Sequence, residues 1–542
     1  MKLFKSSLTI PAIILITGTV FLITNGNFNI SPQSPPSKKD QSSNDIYSVS
    51  KPVVTQQKDE ITAELKNLNS RMNFSLKSPN AKETKDGETT SYEISENTTV
   101  KYEQLEPDEK TRGGLKETIV LKDNTASNTY VFDLYLENVD IYEQYTTDKS
   151  WHFYDKVRQE VFYIPPGFMI DAKGQKSEEV DIQIEKNKQQ GEDQYTLTVT
   201  ADKNWLASPQ REYPVEIDPT VVLSQTDYDA LSDLTVAGTT TANATKTRAT
   251  SGSGGTATLV VVDTTGFAAN DWVLVIQMTS TGGTAGDFEE RKILTVDNGT
   301  QVTFTANKTN GYGTGAQMIK LDVYDDITVQ NGGTLTADTY GGTTGGVLYV
   351  IGDTLTVDSG GLVDMNGKGG AGGTAGTAGA AGSVGNAGSA GGAGGTGSGP
   401  SGGDGANAQS RGGSQGFIAD GGGGGGSGGG GEGGSYVASG TDGTVGAAGG
   451  DGGGNAGSGG TASTQGSGSS AVGCADFSDS TGCLFMGSGG GGGAGGAGGG
   501  GGDSTPGGAG GDGGIGGAGG NGGGISNLTT NTWSNSGTVR TN

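Results

Sequence analysis

Two cysteines, Cys474 and Cys483, and one histidine, His152, are the whole supply of thiols and imidazoles in 542 residues. That supply cannot fill a zinc site of the Cys/His kind within one chain. A hydrolase triad would have to use His152, and no Gly-x-Ser-x-Gly elbow accompanies it. His152 stands in Ser-Trp-His-Phe-Tyr, between aromatics on an expected strand, and reads as a packed or surface strand histidine. Cys474 and Cys483 bracket eight residues. Outside the cell they form a candidate disulfide closing a polar loop around Phe477, either a contact tip or a simple staple. Asp476 and Asp479 share that loop, but two carboxylates on a short loop are not a calcium motif. Gly507 to Ile515 matches a calcium-binding nonapeptide only superficially, because Gly514 stands where a large apolar residue is required.

A glycan-cleaving enzyme needs two carboxylates at a defined separation. Asp322, Asp325, Asp326, Asp338 and Asp353 are scattered, and no spacing selects a pair. The expectation is therefore no catalytic, cofactor-binding or metal-binding residue, no cofactor, and no enzyme. The chain carries 59 acidic and 34 basic residues, a formal charge of −25. Phosphate backbones are held by basic faces, so nucleic acid is not expected as a partner.

The elements that would position these residues start with Lys2 and Lys5, which precede an uncharged apolar run from Leu8 to Thr24. This is a basic region followed by a hydrophobic one, either a signal peptide or an uncleaved N-terminal anchor, and both place the rest outside the cell. Membrane contact is expected only through this segment if it is uncleaved. Residues 25–44 are rich in Ser, Pro and Asn and read as a disordered spacer. Ile61, Leu65, Leu68 and Met72 fall at helical spacing and predict one helix. Period-two patterns then predict strands at Thr118–Leu121, Tyr130–Leu136, Val161–Ile164, Val180–Ile184 and Tyr195–Val199, a sandwich-like module over 45–222. Its last strand, Tyr213 to Ile217, is expected to stop at Asp218-Pro219.

Two stretches carry a resemblance: Phe162-Tyr-Ile-Pro-Pro-Gly-Phe-Met-Ile-Asp-Ala-Lys-Gly and Trp205-Leu-Ala-Ser-Pro-Gln-Arg-Glu-Tyr-Pro-Val-Glu-Ile-Asp-Pro-Thr-Val. This part resembles a β-rich module of large secreted and wall-associated bacterial proteins, including those with RHS or YD repeats. The resemblance implies export and a surface architecture, and it transfers no active site. Residues 223–255, rich in Thr, Ser, Ala and Gly, read as a linker. A second β module covers 256–365, with strands near Leu259–Val262, Trp272–Met278, Arg291–Val296 and Gln301–Thr305. It resembles a domain that precedes glycine-rich tracts in adhesin-type surface proteins, on Asp271-Trp-Val-Leu-Val-Ile-Gln-Met, Asp287-Phe-Glu, Gln317-Met-Ile-Lys-Leu and Thr344-Gly-Gly-Val-Leu.

Ile327-Thr-Val-Gln-Asn-Gly-Gly-Thr-Leu-Thr-Ala matches Leu355-Thr-Val-Asp-Ser-Gly-Gly-Leu-Val-Asp-Met, 28 residues later. One coil of a parallel β-helix gives this spacing; two similar hairpins would give it too. Residues 366–524 are glycine-rich. Glycine holds every third position from Gly367 to Gly397, and Gly-Gly-x triplets run from Gly489, break at Ser504-Thr-Pro, and resume in phase to Gly524. Period three is that of an extended polyproline-II-like helix. The absence of proline from Gly367 to Gly397 argues against collagen. The tract is either a polyglycine-II-like bundle, resembling those of some phage tail adhesins and a snow-flea antifreeze protein, or disordered. Ser536-Gly-Thr-Val-Arg-Thr-Asn, within 525–542, resembles the start of a further, truncated β coil.

The expected fold is mainly β: a sandwich-like module, a second β module leading into a partial parallel β-helix, and the glycine-rich tract. The expected function is an exported, non-enzymatic bacterial surface protein with a structural or adhesive role. Its partner would be an unidentified surface ligand or matrix component, such as a polysaccharide. The alternatives are a secreted glycan-active β-helix enzyme and an ice-binding polyglycine-II protein.

Overall fold

The structure, a computed structural model, describes residues 51–57, 59–187, 194–226, 230–371, 377 and 524–540. It is mainly β; among the described residues the single helix is the short Lys203–Leu206. The N-terminal segment and spacer, the bulk of the glycine-rich tract with its expected bundle, the candidate Cys474–Cys483 disulfide with Phe477, Asp476 and Asp479, Gly507–Ile515, Thr541 and Asn542 lie outside the described residues.

A six-stranded antiparallel sheet runs in the order Val53–Gln57, Glu60–Asn67, Ser70–Lys77, Thr129–Glu137, Gln194–Ala201, Val180–Lys186. Its inward residues, among them Ile61, Leu65, Phe74 and Phe132, share one core with Ile119, Phe153, Phe162 and Ile217 of an eleven-stranded sheet. The expected helix is instead a hairpin. Ile61 pairs with Leu76 and Leu65 with Met72, and Leu68 takes the turn at φ 54°. Residues four apart satisfy both the helical period and the period of two, and Ala63 between them settles the choice by its burial. The last strand of this module is also not the one expected. Val215–Asp218 is followed, past Pro219, by Val221–Ser224, which pairs with both Thr111–Leu121 and Glu160–Ile164.

Residues 223–255 are not a linker. Leu234–Val236 and Thr239–Thr241 form a first rung of parallel β-helix, and Lys246–Ser251 is the first strand of a closed six-stranded barrel with Thr258–Val261, Gln301–Phe304, Phe288–Asn298, Trp272–Gln277 and Ala316–Lys320. Threonine-rich sequence is good strand material when one face is covered. The later rungs are Asp322–Val329 with Thr334–Thr336, Val347–Val357 with Leu362–Asp364, and Ile525–Asn535 with Thr538–Arg540. Ile327 pairs in parallel with Leu355, so the 28-residue repeat is a coil of β-helix. Leu234 pairs with Ile327, and Leu355 with Trp533, making four rungs among the described residues.

The corners explain the Gly-Gly of the repeat. Gly332 and Gly360 sit at φ 81° and 87°, where side chains are strained. The next residue lies against the rung before it: a Cβ on Gly333 would stand 2.1 Å from the Val236 carbonyl oxygen, and one on Gly361 2.5 Å from that of Val329. Between the first and second rungs the chain makes the barrel, leaving and returning at points joined by the Lys320 N–H to Thr245 carbonyl bond of 2.9 Å. Between the third and fourth it makes the glycine-rich tract; there the Gly524 N–H donates to the Met365 carbonyl at 2.9 Å.

Candidate functional site

Polar chemistry concentrates where sandwich, barrel and β-helix meet. The turn between Trp151–Tyr154 and Glu160–Ile164 is built on Asp155, whose carboxylate accepts from the N–H of Val157 at 3.0 Å and of Gln159 at 2.9 Å. Arg158 takes the left-handed position, φ 61°, and is thereby aimed out of the sandwich. Its guanidinium grips Glu290 of the barrel with two bonds, 2.6 and 2.8 Å, and Asp140 at 2.7 Å. The Tyr349 hydroxyl of the third rung donates to the same Glu290. One carboxylate thus ties together all three β modules by charge-assisted bonds.

His152 lies nearby, flat against Tyr145 with ring centroids 3.7 Å apart. Its Nδ1 is 2.7 Å from Glu160 Oε2 and its Nε2 is 2.8 Å from Ser150 Oγ. The order Ser–His–Glu is that of a hydrolase relay. However, Ser150 is buried and donates to Asp148 at 2.6 Å, so its proton is directed away from the ring. Burial alone would raise the Glu160 carboxyl; the His152 bond and charge and the Ser224 hydroxyl at 2.7 Å overcome this and hold it below the usual carboxylate range. His152 is a packed strand histidine, as its aromatic neighbours led us to expect, with an acid–base partner that the local sequence did not disclose.

A cleft of about 700 Å³ opens beside this group, with Tyr154, Glu160, Trp272, Lys292, Lys320 and Tyr324 in its lining. Tyr154 and Trp272 meet edge to face, centroids 4.9 Å apart. Lys320 pairs with Asp271 at 2.8 Å. Burial pulls the Lys292 ammonium below the usual lysine range, against the opposing charges of Glu160 and Glu143. The dispersed acids find separate places. Asp322 also lines the cleft and accepts from the Asn243 N–H at 2.8 Å. Asp338 pairs with Lys246 at 2.6 Å. Asp353 accepts from Asn531 at 2.9 Å. Asp325 and Asp326 are brought together with Asp233 from the rung before, a grouping of three carboxylates that sequence spacing had not joined.

No family model matches the chain, and no solved structure matches it. Part of it is similar to curated proteins from bacilli. It is 38% identical over 117 residues to the tRNA nuclease WapA of Bacillus subtilis, and equally to the tRNA(Glu)-specific nuclease WapA of Bacillus subtilis subsp. natto. A third relative, the tRNA3(Ser)-specific nuclease WapA of Bacillus spizizenii, is 37% identical. Each match covers 20% of this chain and 5% of the relative, so the chain spans a small part of the length of the curated relatives it matches. These names overturn two expectations: that the protein is not an enzyme, and that nucleic acid is excluded as a partner. The nucleic-acid expectation rests on net charge alone, and the no-enzyme expectation on the scarcity of His and Cys, the missing nucleophile motif and the unpaired spacing of the acids. A whole-chain charge does not describe a local face, linear spacing does not show which side chains the fold brings together, and phosphodiester chemistry needs neither a thiol nor several imidazoles.

Proposed function

We propose that this chain is a carrier segment of an exported bacterial surface protein, with a structural or adhesive role. The observation that carries the reading is the β-helix, whose third and fourth rungs stay in parallel register on either side of the glycine-rich tract. A frame of that kind holds a long excursion at a fixed point, which is what a display or contact element needs. The basic and apolar N-terminal segment supports export. The resemblance of the sandwich to modules of wall-associated proteins supports placement at the cell surface. Labelling intact cells with a membrane-impermeant amine reagent tests it: exposed lysines such as Lys77 are expected to react before lysis. Labelling only after lysis would sink the reading.

A second reading is favoured by the names of the relatives: the chain belongs to a protein that acts on tRNA. Incubating the purified chain with tRNA and resolving the products on a denaturing gel tests it. Cleavage lost on His152→Ala would place the chemistry at the His152–Glu160 couple. Intact tRNA would remove this chain from the catalytic step.

A further inference from the structure

We propose that the cleft between sandwich, barrel and β-helix is a binding site for a phosphate-bearing ligand, with the Lys292 ammonium as its principal contact. The first ground is a local charge inventory. Every carboxylate in the described lining is already engaged. Glu160 uses one oxygen for His152 and the other for Ser224. Asp271 uses one for Lys320 and the other for the Ala268 N–H at 2.8 Å. Asp322 accepts from Asn243. Of the cations, Arg158 is committed to Glu290 and Asp140, and Lys320 to Asp271. Of the cations lining the cleft that are buried or half-buried, Lys292 alone has no side-chain hydrogen bond or ion pair among the described residues. Glu143, the other acid near it, is turned to the Thr305 hydroxyl at 2.7 Å.

The second ground is positioning. Lys292 stands directly across the strand pair from Trp272, and its Nζ lies 5.1 Å from the centroid of the Tyr154 ring. The ammonium is thus held by packing and ring electrostatics at the cleft wall, with all three of its protons free for a ligand. Glu160 and Glu143 act on this part-desolvated ammonium only at a distance, and an incoming oxyanion would supply the direct contact that offsets its desolvation. A compact lysine charge suits phosphate. Exposed Lys110 adds a second positive charge to the lining. The space, about 700 Å³, is in the range of small-molecule sites.

The test is calorimetric titration of the full chain with inorganic pyrophosphate, with tRNA, and with citrate as a carboxylate control. Pyrophosphate is expected to bind at roughly millimolar concentration or better. Lys292→Gln should weaken it about tenfold, the loss of one charge-assisted contact. Lys292→Arg, which keeps the charge, should retain most of the binding and so separates a lost contact from a lost fold. Displacement of pyrophosphate by tRNA assigns the phosphate to a polymer; failure of tRNA to compete assigns it to a small phosphoester. Absence of binding to either, equal binding by Lys292→Gln, or tighter binding of citrate overturns the proposal.

Discussion

Arg158 illustrates how one side chain can be decisive and still unreadable in sequence. Its partners Glu290 and Asp140 stand 132 and 18 residues away, and nothing near it announces a left-handed turn aimed at a barrel. Arg158→Ala leaves Glu290 without its guanidinium. We expect a loss of about 3–5 kcal/mol, measured by urea unfolding, the cost of orphaning one member of a buried pair. Glu117 gives a second prediction at this scale. Burial raises its carboxyl to about 8, against the Tyr102 hydroxyl that donates to it and helped by the charge of Asp218. An acid raised in the folded state stays protonated there while the unfolded chain ionises. Stability should therefore fall as pH rises from about 4.5 to about 8 and then level off. Glu117→Gln should flatten that part of the stability–pH curve; an unchanged slope would remove Glu117 as its source. The candidate site was half legible. His152 was visible because it is unique, and Asp322 because it is acidic, but Glu160, Lys292 and Glu290 look like any other strand residue until pairing brings them together.

The rungs show at the next scale what a sequence pattern can and cannot carry. The second and third share the same corner, Gln330-Asn-Gly-Gly and Asp358-Ser-Gly-Gly, so their repeat is plain. The first and fourth turn on the shorter Ala237-Gly and Ser536-Gly, which shifts the pattern and hid the first rung inside an apparent linker. Likewise Ile61 and Leu65 fit a helix and a strand equally, and the partner strand decided. The corner glycines should be intolerant: Gly361→Ala sets a methyl group against the Val329 carbonyl and forces that corner to shift. Gly87, with φ +60° and open space around it, should accept Asn at small cost. Leu355→Ala, in the column of Ile327 and Leu355, should cost about 2–5 kcal/mol. Thermal unfolding of the three variants provides the comparison, and Gly87→Asn melting as low as Gly361→Ala would refute the packing account.

Both long excursions leave and rejoin the β-helix at points within hydrogen-bond distance, but the barrel shares a core with Val347, Tyr349, Ile351 and Ile525 of the rungs, so the frame leans on it. Residues 372–523 should be replaceable by a short Gly-Ser linker, because loop length changes closure entropy only slowly, while Lys368, whose carbonyl accepts from the Tyr340 N–H, is kept. Hydrogen exchange is the readout: protection of Ile525–Asn535 should survive the replacement, and its loss would mean that the tract helps to hold the fourth rung.

The same junction has a mechanical meaning. A pull on the glycine-rich tract is delivered to Met365 and Gly524, where a single 2.9 Å bond joins the two stems, followed by the Ile525 N–H on the Gly346 carbonyl at 2.8 Å. A pull directed across the strands at this point meets the ladder at its end and opens it bond by bond, as a zipper opens. A pull along the strand axis would have to shear all the paired residues from Val347 to Val357 at once. Tension across the strands therefore loads the pairing of Ile525–Asn535 with Val347–Val357 from its Ile525 end.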